Sequence, residues 1–177
     1  MLVAGLGNPG RQYEKTRHNI GFKVIDYLAS HYKINLDSRH FNAEWGKLSL
    51  FDKNIFLIKP QTYMNRSGST IKSFVEFYKI APENILIIHD DIDLPFGDVR
   101  LKSKGGGAGH HGIESIMESL GTDHFKRIRC GIGRPLQLET EISDFVLSSF
   151  SSEEHQQLLT TFQKILNLFE KMLAPLK

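Results

Sequence analysis

The sequence predicts one α/β domain, with a mixed, mostly parallel, twisted sheet flanked by helices in three layers (α/β/α). Three observations carry that prediction. Short apolar runs alternate along the chain with stretches whose apolar residues recur every three or four positions, the order of a βα-alternating fold. Residues 85–88 are apolar at every position, as a strand covered on both faces must be. Residues 44–59 read as a hairpin, which sets an antiparallel pair into the otherwise parallel order.

The elements follow in chain order. Leu2-Val3-Ala4 opens the first strand, residues 2–5, and Gly5-Leu6-Gly7-Asn8-Pro9-Gly10 turns the chain tightly at its end. A polar loop then runs to Arg17-His18-Asn19, and apolar periodicity returns at Ile20. Phe22, Ile25, Leu28, Ala29 and Tyr32 share one helical face, with Asn19 as the cap. The hairpin strands are residues 44–50 and 55–59 around a turn at 51–54, and Pro60 ends the second. A helix from Ser67 buries Ile71, Phe74, Val75 and Tyr78. Pro82-Glu83-Asn84 precedes the central strand, which gives way to an acidic loop, His89-Asp90-Asp91-Ile92-Asp93-Leu94-Pro95. Residues 98–102 form a short strand leading into residues 104–112, too rich in glycine to be helical. Ile113, Ile116, Met117 and Leu120 mark the next helix, and residues 125–131 an internal strand. Ser151 and Glu154 make a capping box for a closing helix striped by Leu158, Phe162, Ile165, Leu166, Phe169 and Met172, which Pro175 ends.

Composition narrows the class. A chain of 177 residues, 40% hydrophobic and 24% charged, buries a core without disulfide or metal staples. Its longest strongly apolar run falls far short of the roughly 20 residues that span a bilayer. No basic leader precedes the first strand, and the single cysteine, Cys130, suits a reducing compartment. The expected location is the cytoplasm. The net charge of +2 is uneven: residues 100–134 hold seven basic and three acidic residues, an excess of +4 against −2 over the rest. Such a stretch fits a polyanionic partner or a solvated face, and charge alone leaves both open.

The opening glycines satisfy G-x-G-x-x-G, yet about nine polar residues separate them from the helix. A dinucleotide site needs that helix to open directly on the loop, so that its amides meet the pyrophosphate. Arg66-Ser67-Gly68-Ser69 lacks the first glycine of a nucleophile elbow, and Cys130 lies inside a predicted strand. Asp90, Asp91 and Asp93 offer oxygens to a hard cation, but the spacing matches no zinc or calcium signature; turn chemistry explains the cluster equally well. General acid–base chemistry remains. His18, the one residue of its loop that titrates near neutrality, would serve as base, with Asp90 as partner if the two strand ends lie side by side. Asn8 and Asn65 could position a water or donate to an oxyanion, or simply form turns.

Five ordered blocks then resemble one family. Gly5-Leu6-Gly7-Asn8-Pro9-Gly10 with Tyr13 and Thr16-Arg17-His18-Asn19 is similar to the opening signature of bacterial peptidyl-tRNA hydrolases. Lys59-Pro60-Gln61-Thr62-Tyr63-Met64-Asn65, residues 89–97, the glycine run to Gly112, and residues 127–135 resemble the later blocks. The resemblance spans most of residues 1–177 as a single domain. It implies hydrolysis of the ester between a peptide and tRNA, recycling tRNA from stalled translation, on a mixed sheet between helices, by a monomer without metal or organic cofactor. By the same resemblance His18 activates water, Asp90 stabilises the active form of His18, and Asn8 tells a blocked peptidyl group from a free aminoacyl group. Tyr13, Tyr63, Met64 and Asn65 contact substrate, while Lys102 and Arg129 hold tRNA phosphates.

The sequence departs from the pattern at His111, where the family commonly has asparagine, and at Glu114, where a basic residue is frequent. A histidine cannot donate and accept as an amide does, and it titrates, so a pH-sensitive substrate contact is expected at His111. Plant organelle splicing factors, which bind RNA without hydrolysis, look similar to this family and form the alternative. Retention of His18, Asp90, Asn8 and Asn65 together argues for the enzyme.

Overall fold

Leu2–Gly5 (β1) is buried at all four positions, which requires a neighbour on each side and a helix layer on each face. The computed structural model, which describes residues 1–137 and 139–175, supplies both. The remaining strands are β2 (Ser38–His40), β3 (Ala43–Leu50), β4 (Lys53–Pro60), β5 (Ile85–Asp91), β6 (Val99–Lys102) and β7 (Lys126–Gly131). The described residues form a seven-stranded sheet in the order β2-β3-β4-β1-β5-β7-β6. β4, β1, β5 and β7 are parallel, whereas β2, β3 and β4 pair antiparallel on one side and β6 antiparallel to β7 on the other.

Strand alternation divides the core. Val3, Leu57, Leu86, Ile88 and Ile128 pack against α1 (Ile20–His31) and α5 (Ser152–Leu173). Leu2, Ala4, Ile58, Ile85 and Ile87 face α2 (Ser67–Tyr78) and α3 (His111–Leu120). The three-layer, mixed and mostly parallel fold is the one the sequence predicts. The Ser151–Glu154 capping box is also present, and Glu154 doubles as an acceptor described below.

Several local expectations are corrected. Asn19 stands at the start of α1 but caps nothing there, because its side chain is committed to Asn8. The buried face of α1 is Ile20, Gly21, Val24, Ile25, Leu28 and Ala29, so Phe22 lies at its margin. The hairpin turn is only Phe51-Asp52, both with positive φ, and pairing resumes at Lys53; Pro60 is the last ladder residue, opposite Ala43. β5 continues through Asp91, so His89 and Asp90 sit on a strand rather than in a loop. Two elements are new: the polar β2, and the short α4 (Ile142–Leu147), none of whose residues is buried.

One close approach sets the geometry of the sheet's C-terminal edge. Gly5, at the end of β1, faces Gly21, in the first turn of α1. A Cβ built on Gly21 would lie 2.3 Å from the Leu6 nitrogen and 2.5 Å from the Ile88 carbonyl oxygen. Only hydrogen at both positions lets α1 rest on the backbone of β1 and β5. Gly21→Ala is expected to lower the unfolding free energy by about 2 kcal/mol or more, read from urea denaturation followed by circular dichroism.

Candidate active site

The C-terminal ends of β1 and β5 are adjacent, with Gly5 opposite Ile88 in register. Past the end of β1 the chain turns through Asn8, runs out, and returns as a 3-10 turn, Arg17–Asn19. The Asn19 amide spans the gap: its Oδ1 accepts from the Asn8 N–H at 2.9 Å, and its Nδ2 donates to the Asn8 carbonyl at 2.9 Å. The turn is thereby pinned over the strand ends with His18 directed at β5.

Asp90 is the centre of the arrangement and is 2% exposed. His18 Nδ1 lies 2.9 and 3.0 Å from its two carboxylate oxygens, and His110 Nε2 lies 3.0 Å from Oδ1. Burial alone would push the Asp90 carboxyl up; the two imidazoles reverse this and hold it well below the usual carboxylate range. An ionised carboxylate only accepts, so both facing ring nitrogens carry protons. For His110 this is fixed independently, since its Nδ1 accepts the Ile113 N–H at the start of α3. His18 is accordingly protonated at Nδ1, which leaves Nε2 as the basic atom. His18, Asp90 and His110 offer three ligand atoms within 4.8 Å of one another, a set that could hold a divalent metal. The hydrogen bonds instead put protons where a metal needs lone pairs.

A cavity of about 540 Å³ opens above this cluster. Asn8, His18, Tyr63, Met64, Asn65, Asp90 and His111, seven of the residues singled out from the sequence, line it. The Asn8 Oδ1 accepts the Met64 N–H at 2.8 Å, which orients the amide and frees its Nδ2 to donate. Tyr63 is 55% exposed, and Tyr13 touches its ring edge-on at 6.3 Å without itself lining the cavity. His111 is exposed at the first turn of α3 and lies 3.5 Å from Glu114. Lys102 and Arg129 stand on β6 and β7, outside the cavity wall. Arg129 Nε donates to Asp91 at 2.5 Å, so its charge is already engaged.

Sequence reasoning missed His110 as a partner of Asp90, since His110-His111 reads there as a possible pair of metal ligands or as solvated loop, and it missed the cavity wall formed by Ile142, Val146 and Leu147. A helix-period signal at Ile113 could have suggested an N-capping residue at His110. Nothing in the six residues of α4 announces a helix.

Comparison with known proteins settles the family. The peptidyl-tRNA hydrolase family model matches residues 2–176. The chain belongs to the peptidyl-tRNA hydrolase family. It is 50% identical over 153 residues to the peptidyl-tRNA hydrolase of Geobacillus thermodenitrificans, covering 86% of this chain and 82% of that protein. It is 43% identical over 174 residues to that of Bacillus subtilis, covering 98% and 92%. A crystal structure of the Acinetobacter baumannii peptidyl-tRNA hydrolase superposes with a TM-score of 0.82 at 36% identity, covering 99% of this chain and 95% of that one. The enzyme reading of the sequence therefore holds, and a non-catalytic RNA-binding module is not favoured. Peptidyl-tRNA hydrolase activity makes peptidyl-tRNA the substrate of this chain. Among the described residues no helix is long and apolar enough to cross a membrane.

His89, next to Asp90 on β5, is buried at the cavity lining. Burial holds it well below the ordinary histidine value, and His110 acts in the same direction. It stays neutral when folded, while an unfolded chain protonates it below about pH 6.5. The folded state then binds fewer protons, so the stability is complete above that pH and lost below it, at up to about 1.4 kcal/mol per pH unit. His89→Gln retains a donor for the Asp90 carbonyl, which His89 Nδ1 meets at 2.7 Å. This variant is expected to flatten the slope of unfolding free energy between about pH 6.5 and 5, as measured by denaturation at a series of pH values.

Proposed function

We propose that His18 Nε2 takes a proton from water as that water attacks the ester carbonyl joining the peptide to tRNA. The carbon–oxygen bond to the tRNA ribose then breaks, and the His18 imidazolium returns the proton to the departing hydroxyl. Asp90 stabilises the imidazolium and fixes its tautomer, while His110 holds the shared carboxylate in place. The observation that carries this reading is the buried Asp90 carboxylate bonded to His18 Nδ1, which turns Nε2 away from Asp90 as the nitrogen that can accept a proton.

Asn8 and Asn65 donate to the developing oxyanion and the adjoining amide. The free Nδ2 of Asn8 suits a peptide carbonyl and has nothing to offer an ammonium, a physical basis for preferring blocked over unblocked aminoacyl groups. Met64, Tyr63 and Tyr13 contact the substrate from one side and His111 from the other. Lys102 and Arg129 meet tRNA phosphates. All of these residues lie on one chain, so a monomer suffices, and recycling of tRNA from stalled translation puts the work in the cytoplasm.

The test compares N-blocked with unblocked aminoacyl-tRNA. Release of tRNA is expected from the blocked form only, and His18→Ala is expected to lose about two orders of magnitude or more in kcat; equal turnover by the variant would overturn the assignment. The two basic positions should behave differently. Lys102→Glu is expected to weaken tRNA binding and lower the salt slope by about one unit with stability unchanged. Arg129→Glu sets a carboxylate against Asp91 and is expected to lower the melting temperature as well, which filter binding and thermal denaturation together would reveal.

A further inference from the structure

Arg17 does not line the cavity, yet it is 8% exposed and its side chain is heavily used. Its Nη1 donates to Ser148 Oγ at 2.6 Å and to the Ser149 carbonyl, and its Nη2 donates to Glu154 at 2.6 Å. The guanidinium lies over Phe145 at 4.5 Å and Phe150 at 5.4 Å. Its backbone N–H donates to the Ser148 carbonyl at 3.0 Å. Among the described residues, every hydrogen bond that ties residues 142–149 to another element comes from Arg17, and Ser149 forms an isolated antiparallel bridge with its neighbour Thr16.

That segment is α4 and its C-terminal turn. None of its residues is fully buried, and only Phe145 and Val146 pack partly against the core, so the polar clamp from Arg17 supplements a slight apolar anchor. Its Ile142, Val146 and Leu147 face the cavity, with Ile142 46% and Leu147 44% exposed. Apolar side chains held half-open to a cavity suit an apolar part of the substrate, and Glu141 beside them disfavours phosphate. Only an arginine offers a planar fork for three acceptors together with a face for two rings; a lysine keeps the charge and loses both.

We propose that Arg17 is a positioning residue for hydrolysis: it seats α4 as the apolar wall against which the peptidyl group lies, and ties that wall to the turn carrying His18. The inference rests on the hydrolase reading above. Wall and base then share one residue, whose side chain seats α4 and whose backbone continues into His18, so a change at Arg17 itself is felt at both.

Two variants loosen α4 from its far side without touching the cavity or His18: Phe145→Ala and Glu154→Gln, the latter retaining a capping residue at the start of α5. Both are expected to speed amide exchange in residues 142–149 by about tenfold. Both should raise KM for N-acetyl-phenylalanyl-tRNA by roughly threefold to tenfold, with less effect on N-acetyl-glycyl-tRNA and kcat within about twofold. Arg17→Lys should raise KM likewise and also lower kcat, because the turn loosens with the wall. Faster exchange with unchanged KM would show that α4 is no substrate wall, and unchanged exchange in all three variants would show that Arg17 does not seat it. Failure of the unmodified enzyme to release either blocked substrate would strike the hydrolase reading instead, which keeps the two failures apart.

Discussion

The site depends on one buried charge. A carboxylate withdrawn from water to the extent of Asp90 is costly unless its oxygens are well paired. Here the partners come from two different places in the fold: His18 from the turn after β1, and His110 from the start of α3. Neither imidazole can be brought in by local sequence. The first needs α1 laid against the backbone of β1 and β5, which the Gly5–Gly21 contact permits. The second needs α3 to begin where its first turn can donate the Ile113 N–H to His110, which the glycine-rich approach allows. Packing on both faces of the sheet thus converges on a single oxygen pair.

Three consecutive residues distribute that constraint. Arg17 reaches outward to α4 and α5, His18 inward to Asp90, and Asn19 back to the Asn8 backbone. A tight 3-10 turn sends successive side chains in different directions, and each finds a strong polar partner. The consequence is preorganisation: the His18 imidazole, the Asn8 amide and the apolar side chains of α4 are held relative to one another before anything binds. Asn8 is fixed twice, at its backbone by Asn19 and at its side chain by the Met64 N–H.

Whatever the local pattern governs was legible in the sequence. The uninterrupted apolar run of β5, the helical stripes and the Ser151–Glu154 capping box all fix their elements through nearby residues. So was the pairing of His18 with Asp90, because adjacent parallel strands bring their C-terminal ends together. What escaped notice depends on distant partners. β2 is polar and exists because β3 offers it an edge. α4 is too short to show a period and is held by Arg17 from residues far away in the chain. Asn19 reads as a helix cap, and only the return of the loop over Asn8 makes it a clamp. His110 shows no role until β5 is known to carry Asp90 beyond its apolar run.

The basic stretch shows the same division between local pattern and tertiary use. Counted over residues 100–134 it holds an excess of +4, but its arginines are largely spoken for. Arg129 pairs with Asp91, Arg134 with Asp93 and Arg100 with Asp98, all acids that lie just before the stretch begins. Arg127 is 2% exposed and donates to the Gly106 carbonyl, so it braces the glycine loop rather than meeting solvent. Extending the count back to Asp91 reduces the excess to +1. Lys102, Lys104 and Lys126 make no ion pair among the described residues. The lysines therefore stand on this surface as flexible point charges without a partner acid, while each guanidinium fork, that of Arg129 included, also serves to hold a loop in shape. Unpaired charge and the fixing of the cavity loops thus fall to different residue types within one run of sequence.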